Sequence, residues 1–139
     1  MPTIEYRHQF PYLYGEDRGQ FPGLLIDLCR PGELEEYVTI QAHLDTGAEY
    51  SLFDGELATG IGLRLMEGED FAFSFTSGEP LIAKRHRVAV GHSELGRFEL
   101  VVAFSTSRIR RNILGRDFLG LVQVGFRECQ GELYLTPTP

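Results

Sequence analysis

The sequence predicts a mainly β domain with one short helix. Apolar stretches are short and are separated by many turn-forming residues, because the 139-residue chain contains 16 glycines and 7 prolines. Residues 37–44 alternate between polar and apolar side chains, which is the period of a half-buried strand. Residues 71–90 hold two extended runs around a glycine-containing turn, the pattern of a β-hairpin. The length fits a single core.

The first elements set the boundary of the domain. Residues 1–22 combine aromatic residues, prolines and mixed charge without a clear period, so we expect an irregular N-terminal arm or a loose edge strand. The domain then occupies residues 23–139. It begins with an apolar strand at 23–29 and a turn at 30–33, where proline and glycine stand in suitable positions.

The alternating strand 37–44 ends at a single acidic residue. Its core-facing residues are Val38, Ile40, Ala42 and Leu44. Asp45 has the parity of the polar residues, so its side chain should point away from the core, to a surface or a cleft. Gly47, two residues after Asp45, allows the chain to make a flexible turn there.

The second half of the chain is mostly extended. Residues 57–63 favour a short helical or irregular connecting segment. In the hairpin, residues 71–75 should pair with residues 80–90, and residues 76–79 should form the tip. Further extended runs occur at residues 97–104, 111–126 and 129–137.

The charge of the chain argues against nucleic acid as its main partner. The formal net charge is −7 at pH 7, whereas phosphate binding needs a basic surface. Two basic runs, at 84–87 and 108–111, are exceptions. We interpret them as a solvated strand face and a charged turn, and a local patch for an acidic partner is the alternative.

The sequence contains no signal for a membrane, a metal or a cofactor. No apolar run approaches the roughly 18 residues of a membrane span, and the N-terminus lacks the layout of a signal peptide. Cys29 and Cys129 are far apart, so we expect reduced thiols and not a disulfide framework. His43, His86 and His92 lack ligand-like spacing with carboxylates. We therefore expect a cytoplasmic protein without a metal site or cofactor.

Two segments together resemble a known family. "HLDTGAEYSLF", residues 43–53, resembles the Asp-Thr-Gly-Ala active-site loop of aspartic proteases. "NILGRDFLG", residues 112–120, resembles the Ile-Leu/Ile-Gly-Arg segment of the retroviral-type, single-domain branch, and the similarity covers roughly residues 23–136. The resemblance implies the retropepsin-like acid protease fold, a closed β-barrel that acts as a homodimer on peptide or protein substrates.

The resemblance also assigns roles to the residues of the first motif. Asp45 matches the catalytic aspartate, and the hydroxyl of Thr46 matches the group that ties the two active-site loops together across a dimer axis. Gly47 lets the backbone approach the substrate, and Ala48 is the small residue that follows.

The second motif and the hairpin tip are matched in the same way. Gly115 and Arg116 match the Gly-Arg pair, and the resemblance implies a salt bridge from Arg116 to Glu49, where retroviral relatives carry aspartate. The tip matches the flap that covers the substrate, although it is poorer in glycine. Its residues are Thr76, Ser77, Gly78 and Glu79.

The chemistry of this family needs two carboxylates around one water, but the chain has a single Asp-Thr-Gly. Asp54 and Asp70 lack the following Thr/Ser-Gly, and Asp117 is interpreted as a cap of the turn after Gly115. A second Asp45 must therefore come from another chain across a two-fold axis. Either the C-terminal strand or the N-terminal arm is a candidate for the interchain sheet.

Two alternatives to a protease remain open. Asp-Thr-Gly is also ordinary turn chemistry. The domain is alternatively a non-catalytic dimerisation or peptide-binding module that keeps the retropepsin fold.

Overall fold

The computed structural model describes residues 1–74 and 78–138 as a mainly β structure. The strands are β1 His8–Pro11, β2 Leu13–Gly15, β3 Gly19–Phe21, β4 Gly23–Cys29, β5 Tyr37–Leu44, β6 Leu52–Asp54, β7 Glu69–Phe73, β8 Leu81–His92, β9 Gly96–Ser105, β10 Asn112–Leu114, β11 Val122–Arg127 and β12 Glu132–Pro137. The helices are α1 Gly55–Gly60 and α2 Arg116–Leu119, with short 3-10 turns at Leu65–Glu67 and Glu128–Gln130. The mainly β prediction is confirmed, but the described residues contain two short α-helices and not one.

The main sheet closes on itself. Its strand order is β4-β5-β10-β6-β9-β8-β7, and β4 also pairs with β8. Because β4 pairs with both β5 and β8, the strands from β4 to β8 form a ring, and β7 extends β8 as the outer strand of a hairpin. The closed barrel is therefore confirmed. Closure removes the free edges that an open sheet would expose.

The alternating strand β5 behaves as its pattern predicts. Ile40, Ala42 and Leu44 are buried, whereas Thr39 and Gln41 on the other face are exposed. The barrel encloses the hydrophobic core. Its largest fully buried side chains are Phe53, Phe104, Phe118, Leu24, Ile26, Leu28, Ile61, Leu114, Leu133 and Leu135.

Local turn chemistry explains where two neighbouring elements begin. Asp54 is the N-cap of α1, since its carboxylate accepts the backbone N–H of Glu56 at 2.9 Å. The turn after β4 places Gly32 at φ 80°, and the N–H of Glu33 donates to the carbonyl of Arg30 at 3.1 Å. The predicted turn at 30–33 is confirmed.

The N-terminal segment contains strands, so for residues 1–22 the irregular-arm interpretation is wrong and the edge-strand alternative agrees with the structure. It contains β1, β2 and β3, and β1 pairs antiparallel with β12, over 120 residues away in the sequence. Together β1, β12 and β11 form a separate three-stranded sheet. Phe10 of β1 packs against the main core. Short strands of three or four residues carry too weak a pattern to predict, because distant pairing stabilises them.

The two cysteines are free thiols, as predicted: Cys29 is buried and Cys129 is exposed. Within the described ranges, no helix is long and apolar enough to cross a membrane. The same residues contain no group of three or more metal-ligating His, Cys, Asp or Glu side chains.

Candidate active site

Asp45 lies at the C-terminal end of β5, and its side chain is partly exposed. Its carboxylate Oδ1 accepts the backbone N–H of Gly47 at 2.8 Å. The N–H of Ala48 donates to the carbonyl of Asp45 at 3.2 Å, which closes the turn. The apolar face of β5 therefore fixes the backbone, and the turn leaves the acidic group at the surface.

The segment after β10 supports the Asp45 loop from behind. The N–H of Asp45 donates to the carbonyl of Leu114 at 3.0 Å, and the N–H of Arg116 donates to the carbonyl of Ala48 at 2.8 Å. Gly115 is buried between these bonds. A Cβ atom there would lie 2.7 Å from the carbonyl oxygen of Ala48. The two motifs found in the sequence are thus adjacent, and only glycine allows their backbones to approach so closely.

A buried serine joins the two motifs. Ser51 donates its backbone N–H and its hydroxyl to the carboxylate of Asp117, at 2.9 and 2.6 Å, and its Oγ accepts the N–H of Gly115 at 3.1 Å. Our prediction that Asp117 caps the turn is wrong, because the N-cap of α2 is Gly115. Asp117 also accepts the N–H of Phe118 at 2.8 Å. This network was not predicted, because its only trace in the sequence is a polar residue before an apolar strand.

The ion pair between Glu49 and Arg116 is absent among the described residues, which corrects that expectation. Both residues are exposed in the single chain, and exposed pairs gain little from Coulomb attraction in water. Arg116 instead contributes its backbone N–H to the loop.

A cleft of about 580 Å³ opens above the loop. Four of the predicted site residues line it: Asp45, Gly47, Ala48 and Glu49. Thr46 is exposed beside it and makes no side-chain hydrogen bond within residues 1–74 and 78–138. The carboxylate of Asp45 thus lies at the edge of a cleft whose volume is in the usual range of ligand sites.

One wall of the cleft is aromatic. Tyr50 packs edge-to-face against Phe71 with ring centres 5.0 Å apart, and Phe71 packs in the same way against Phe73 at 5.0 Å. Leu52 and Ile113 complete the apolar lining. Sequence reasoning did not assign these residues to the site, although the alternating phenylalanines of β7 were visible.

The hairpin that carries the predicted flap is confirmed. β7 pairs with β8 in register from Glu69↔Arg85 to Phe73↔Leu81. Of the tip residues, Gly78 has φ 135° and Glu79 is exposed. Thr76 and Ser77 lie outside the described residues. Because β7 supplies Phe71 and Phe73, the hairpin forms part of the cleft.

His43 lies two residues before Asp45 on the same face of β5. Its ring stacks on Phe21 with centres 5.5 Å apart and planes 7° apart. Burial, and then the charges of Arg111 and Arg18, lower the pKa of His43, while Asp45 acts in the opposite direction. The imidazole is therefore neutral at neutral pH.

Two solved structures resemble this chain. A retropepsin-like aspartic protease from Rickettsia conorii has a TM-score of 0.63 and 19% sequence identity, and the match covers 96% of each chain. The EIAV protease in complex with an inhibitor has a TM-score of 0.52 and 17% identity, with 76% of this chain and 91% of that chain covered. The chain has the retropepsin-like fold. No protein-family model matches the chain, and no curated protein sequence matches it either.

The retropepsin-like fold extends into the N-terminal segment, since the match to the Rickettsia structure covers 96% of this chain. The match to the EIAV protease covers 76% of this chain, and the domain boundary at residue 23 stays a prediction. The Asp45 loop, β7 and Ile113 of β10 line one cleft, and the Gly115–Arg116 segment supports the loop from behind. The chain brings one Asp-Thr-Gly carboxylate, that of Asp45, to this cleft.

Proposed function

We propose that the protein is a homodimeric aspartic endopeptidase that hydrolyses peptide bonds with a water held between two Asp45 carboxylates. The observation that carries this proposal is the position of Asp45: a partly exposed carboxylate in a rigid loop at the edge of an apolar cleft. The likeness to two aspartic protease structures supports the same reading at the level of the fold.

The proposed mechanism needs the two carboxyl groups in different states. Two carboxylates about 3 Å apart cannot both be charged cheaply, so they share one proton, as is general for aspartic proteases. The ionised Asp45 takes a proton from water, whose oxygen attacks the peptide carbonyl carbon. The protonated Asp45 gives its proton to the carbonyl oxygen. The Asp45 that took the water proton then gives it to the amide nitrogen, and a hydroxyl of the tetrahedral diol returns its proton to the other Asp45. The C–N bond breaks, a carboxylic acid and an amine leave, and the shared proton of the pair is restored.

The remaining predicted residues take supporting roles in this proposal. Thr46, exposed in the single chain, ties the two loops together across the two-fold axis. Gly115 and Arg116 hold the Asp45 loop in position, since the backbone N–H of Arg116 donates to the carbonyl of Ala48. The β7–β8 hairpin covers the peptide. The cytoplasmic location also stays a prediction, with which the free thiols of Cys29 and Cys129 agree.

A non-catalytic peptide-binding module is the second candidate. The cleft and its aromatic wall are complete within one chain, so peptide binding alone does not require a second Asp45.

Turnover separates the two candidates. The protein should be incubated with unstructured polypeptides from pH 4 to 7, and the products identified by mass spectrometry. Cleavage that disappears in Asp45→Asn, with the oligomeric state unchanged, supports the endopeptidase. Binding without turnover supports the module, and retained cleavage by Asp45→Asn removes Asp45 from the mechanism.

A further inference from the structure

Two arginines and the uncharged ring of His43 lie close together near Asp45 and have no part in the proposed hydrolysis. Arg18, between β2 and β3, places its guanidinium carbon 3.7 Å from the centre of the Phe21 ring, and the same ring stacks on His43. Burial, and then the charge of Arg111, lower the pKa of both Arg18 and His43. We call Arg18, His43 and Arg111 the Arg18 cluster.

The Arg18 cluster borders the cleft that holds Asp45. In the parallel pairing of β5 and β10, His43 is the register partner of Ile113, and Ile113 lines the cleft. His43 and Ile113 therefore share the outer face of the sheet, while Asp45 and Arg111 lie one residue beyond the ends of β5 and β10. The charges of Arg111, Arg18 and Asp45 all act on His43, so the cluster and Asp45 are neighbours across this ring.

The cluster lacks acceptors for its buried donors. Nε and Nη1 of Arg18 and Nδ1 of His43 are shielded from solvent and have no hydrogen-bond partner. Within the described part of the chain, neither Arg18 nor Arg111 forms an ion pair. Arg111 is exposed and Arg18 is half-buried over the Phe21 ring, so the unmet demand is confined to the shielded Nε and Nη1 of Arg18, which have lost water without gaining an acceptor.

Neighbouring residues add further positive charge. The turn before β10 contributes Arg108 and Arg110, which with Ile109 and Asp17 line a cleft of about 610 Å³. The acidic groups acting on the cluster are Asp17, on Arg18, and Asp45, on His43. Positive charge thus exceeds negative charge here, although the whole chain carries −7.

We propose that the Arg18 cluster binds the carboxylate side chain of an Asp or Glu residue in the peptide held at Asp45. This inference rests on the proposed peptide-binding role of the Asp45 cleft. A carboxylate supplies the acceptors that the guanidinium groups lack and forms charge-assisted hydrogen bonds with them. The aromatic wall receives an apolar side chain of the same peptide. The preferred peptide therefore combines an apolar and an acidic residue close to the scissile bond.

Net charge cannot produce this preference. An acidic protein repels acidic peptides at long range, so tighter binding of a Glu-containing peptide requires a local site. A preference for Glu over Gln would therefore report the Arg18 cluster and not the net charge of the protein.

The test compares two fluorescein-labelled peptide pools that are identical except for Glu or Gln at the central position, all other positions being random apolar residues. Affinity is measured by fluorescence anisotropy at one ionic strength, and turnover is measured on the same pools by mass spectrometry. The Glu pool should bind roughly tenfold tighter than the Gln pool, since a charged hydrogen-bonding partner is replaced by a neutral one. Arg18→Gln with Arg111→Gln should abolish this ratio.

Arg97→Gln is the matched control, because Arg97 is an exposed arginine that lines a different cleft with Cys29 and Tyr37. It should leave the ratio unchanged. Equal binding of the two pools by the unmodified protein overturns the inference without any variant, and so does a ratio that Arg97→Gln reduces as much as the double variant. If the Glu pool binds more tightly but neither pool is cleaved, the result contradicts the proposed endopeptidase activity and supports the carboxylate site.

Discussion

Ser51 and Asp117 are 66 residues apart in the sequence, yet two hydrogen bonds of 2.9 and 2.6 Å join them beneath the Asp45 loop. Ser51 is fully buried, and Asp117 is half-buried. The same hydroxyl oxygen accepts the N–H of Gly115, which holds α2 against the strand that carries Leu52. This hydroxyl group therefore adds to the backbone bonds that hold the loop in place.

Ser51→Ala should destabilise the protein, because Asp117 loses a donor and the buried N–H of Gly115 loses its acceptor. The free energy of unfolding should fall by about 1.5–3 kcal/mol, the range for hydrogen bonds to charged groups. Urea unfolding followed by circular dichroism measures it. Ser93→Ala, at an exposed serine, is the control and should change it by less than about 0.5 kcal/mol. Equal stabilities for the two variants would show that the network contributes nothing.

Gly115→Ala should displace the Asp45 loop. Its Cβ would lie 2.7–2.8 Å from the backbone of Ala48 and Tyr50, and neither backbone is free to move while the loop stays in place. We expect a loss of about 1–3 kcal/mol in unfolding free energy and loss of any peptidase activity. Gly60→Ala, whose Cβ would meet Val38 at an ordinary 3.5 Å, should retain both. Wild-type activity in Gly115→Ala would contradict the close approach.

Phe71→Ala should weaken peptide binding without unfolding the chain. Phe71 is the centre of the aromatic wall, contacting both Tyr50 and Phe73, and it is only partly buried. For peptides with a large apolar side chain we expect KM to rise several-fold. Phe126→Ala, at an exposed aromatic residue of β11, should leave KM unchanged. An unaltered KM in Phe71→Ala would exclude the wall from substrate binding.

The pKa of His43 predicts a pH dependence of stability. Because its folded-state pKa is lowered, the unfolded chain binds a proton more readily. The contribution of His43 to stability is therefore complete above the ordinary histidine pKa of about 6.5 and is lost as pH falls through the lowered folded-state value. In His43→Asn, the unfolding free energy should therefore fall less as the pH is lowered. Since burial also lowers the pKa of His92, some loss should remain in that variant. Identical pH profiles for the variant and the wild type would contradict the assignment.

Local patterns predicted much of the fold. The alternation in β5, the Pro-Gly turn after β4 and the β7–β8 hairpin each depend on neighbouring residues, so their sequences carried the information. The Asp45 and Gly115 motifs were also visible in sequence, and the structure brings them together through backbone bonds.

Contacts between distant residues could not be predicted. β1 has four residues and depends on pairing with β12, and the Ser51–Asp117 bonds and the Phe21–His43 stack join segments without a shared pattern. The expected Glu49–Arg116 ion pair is not present among the described residues. The family resemblance implied this pair, but both side chains remain exposed in the single chain.

The most direct test of the central claim is the activity of mixed dimers. Wild-type protein and Asp45→Asn are refolded together at varied ratios with the total concentration fixed, and peptide cleavage is measured. If each site needs Asp45 from both chains, activity falls with the square of the wild-type fraction, so an equal mixture keeps a quarter. A linear fall, with half the activity retained, would mean that one chain carries a complete reaction centre.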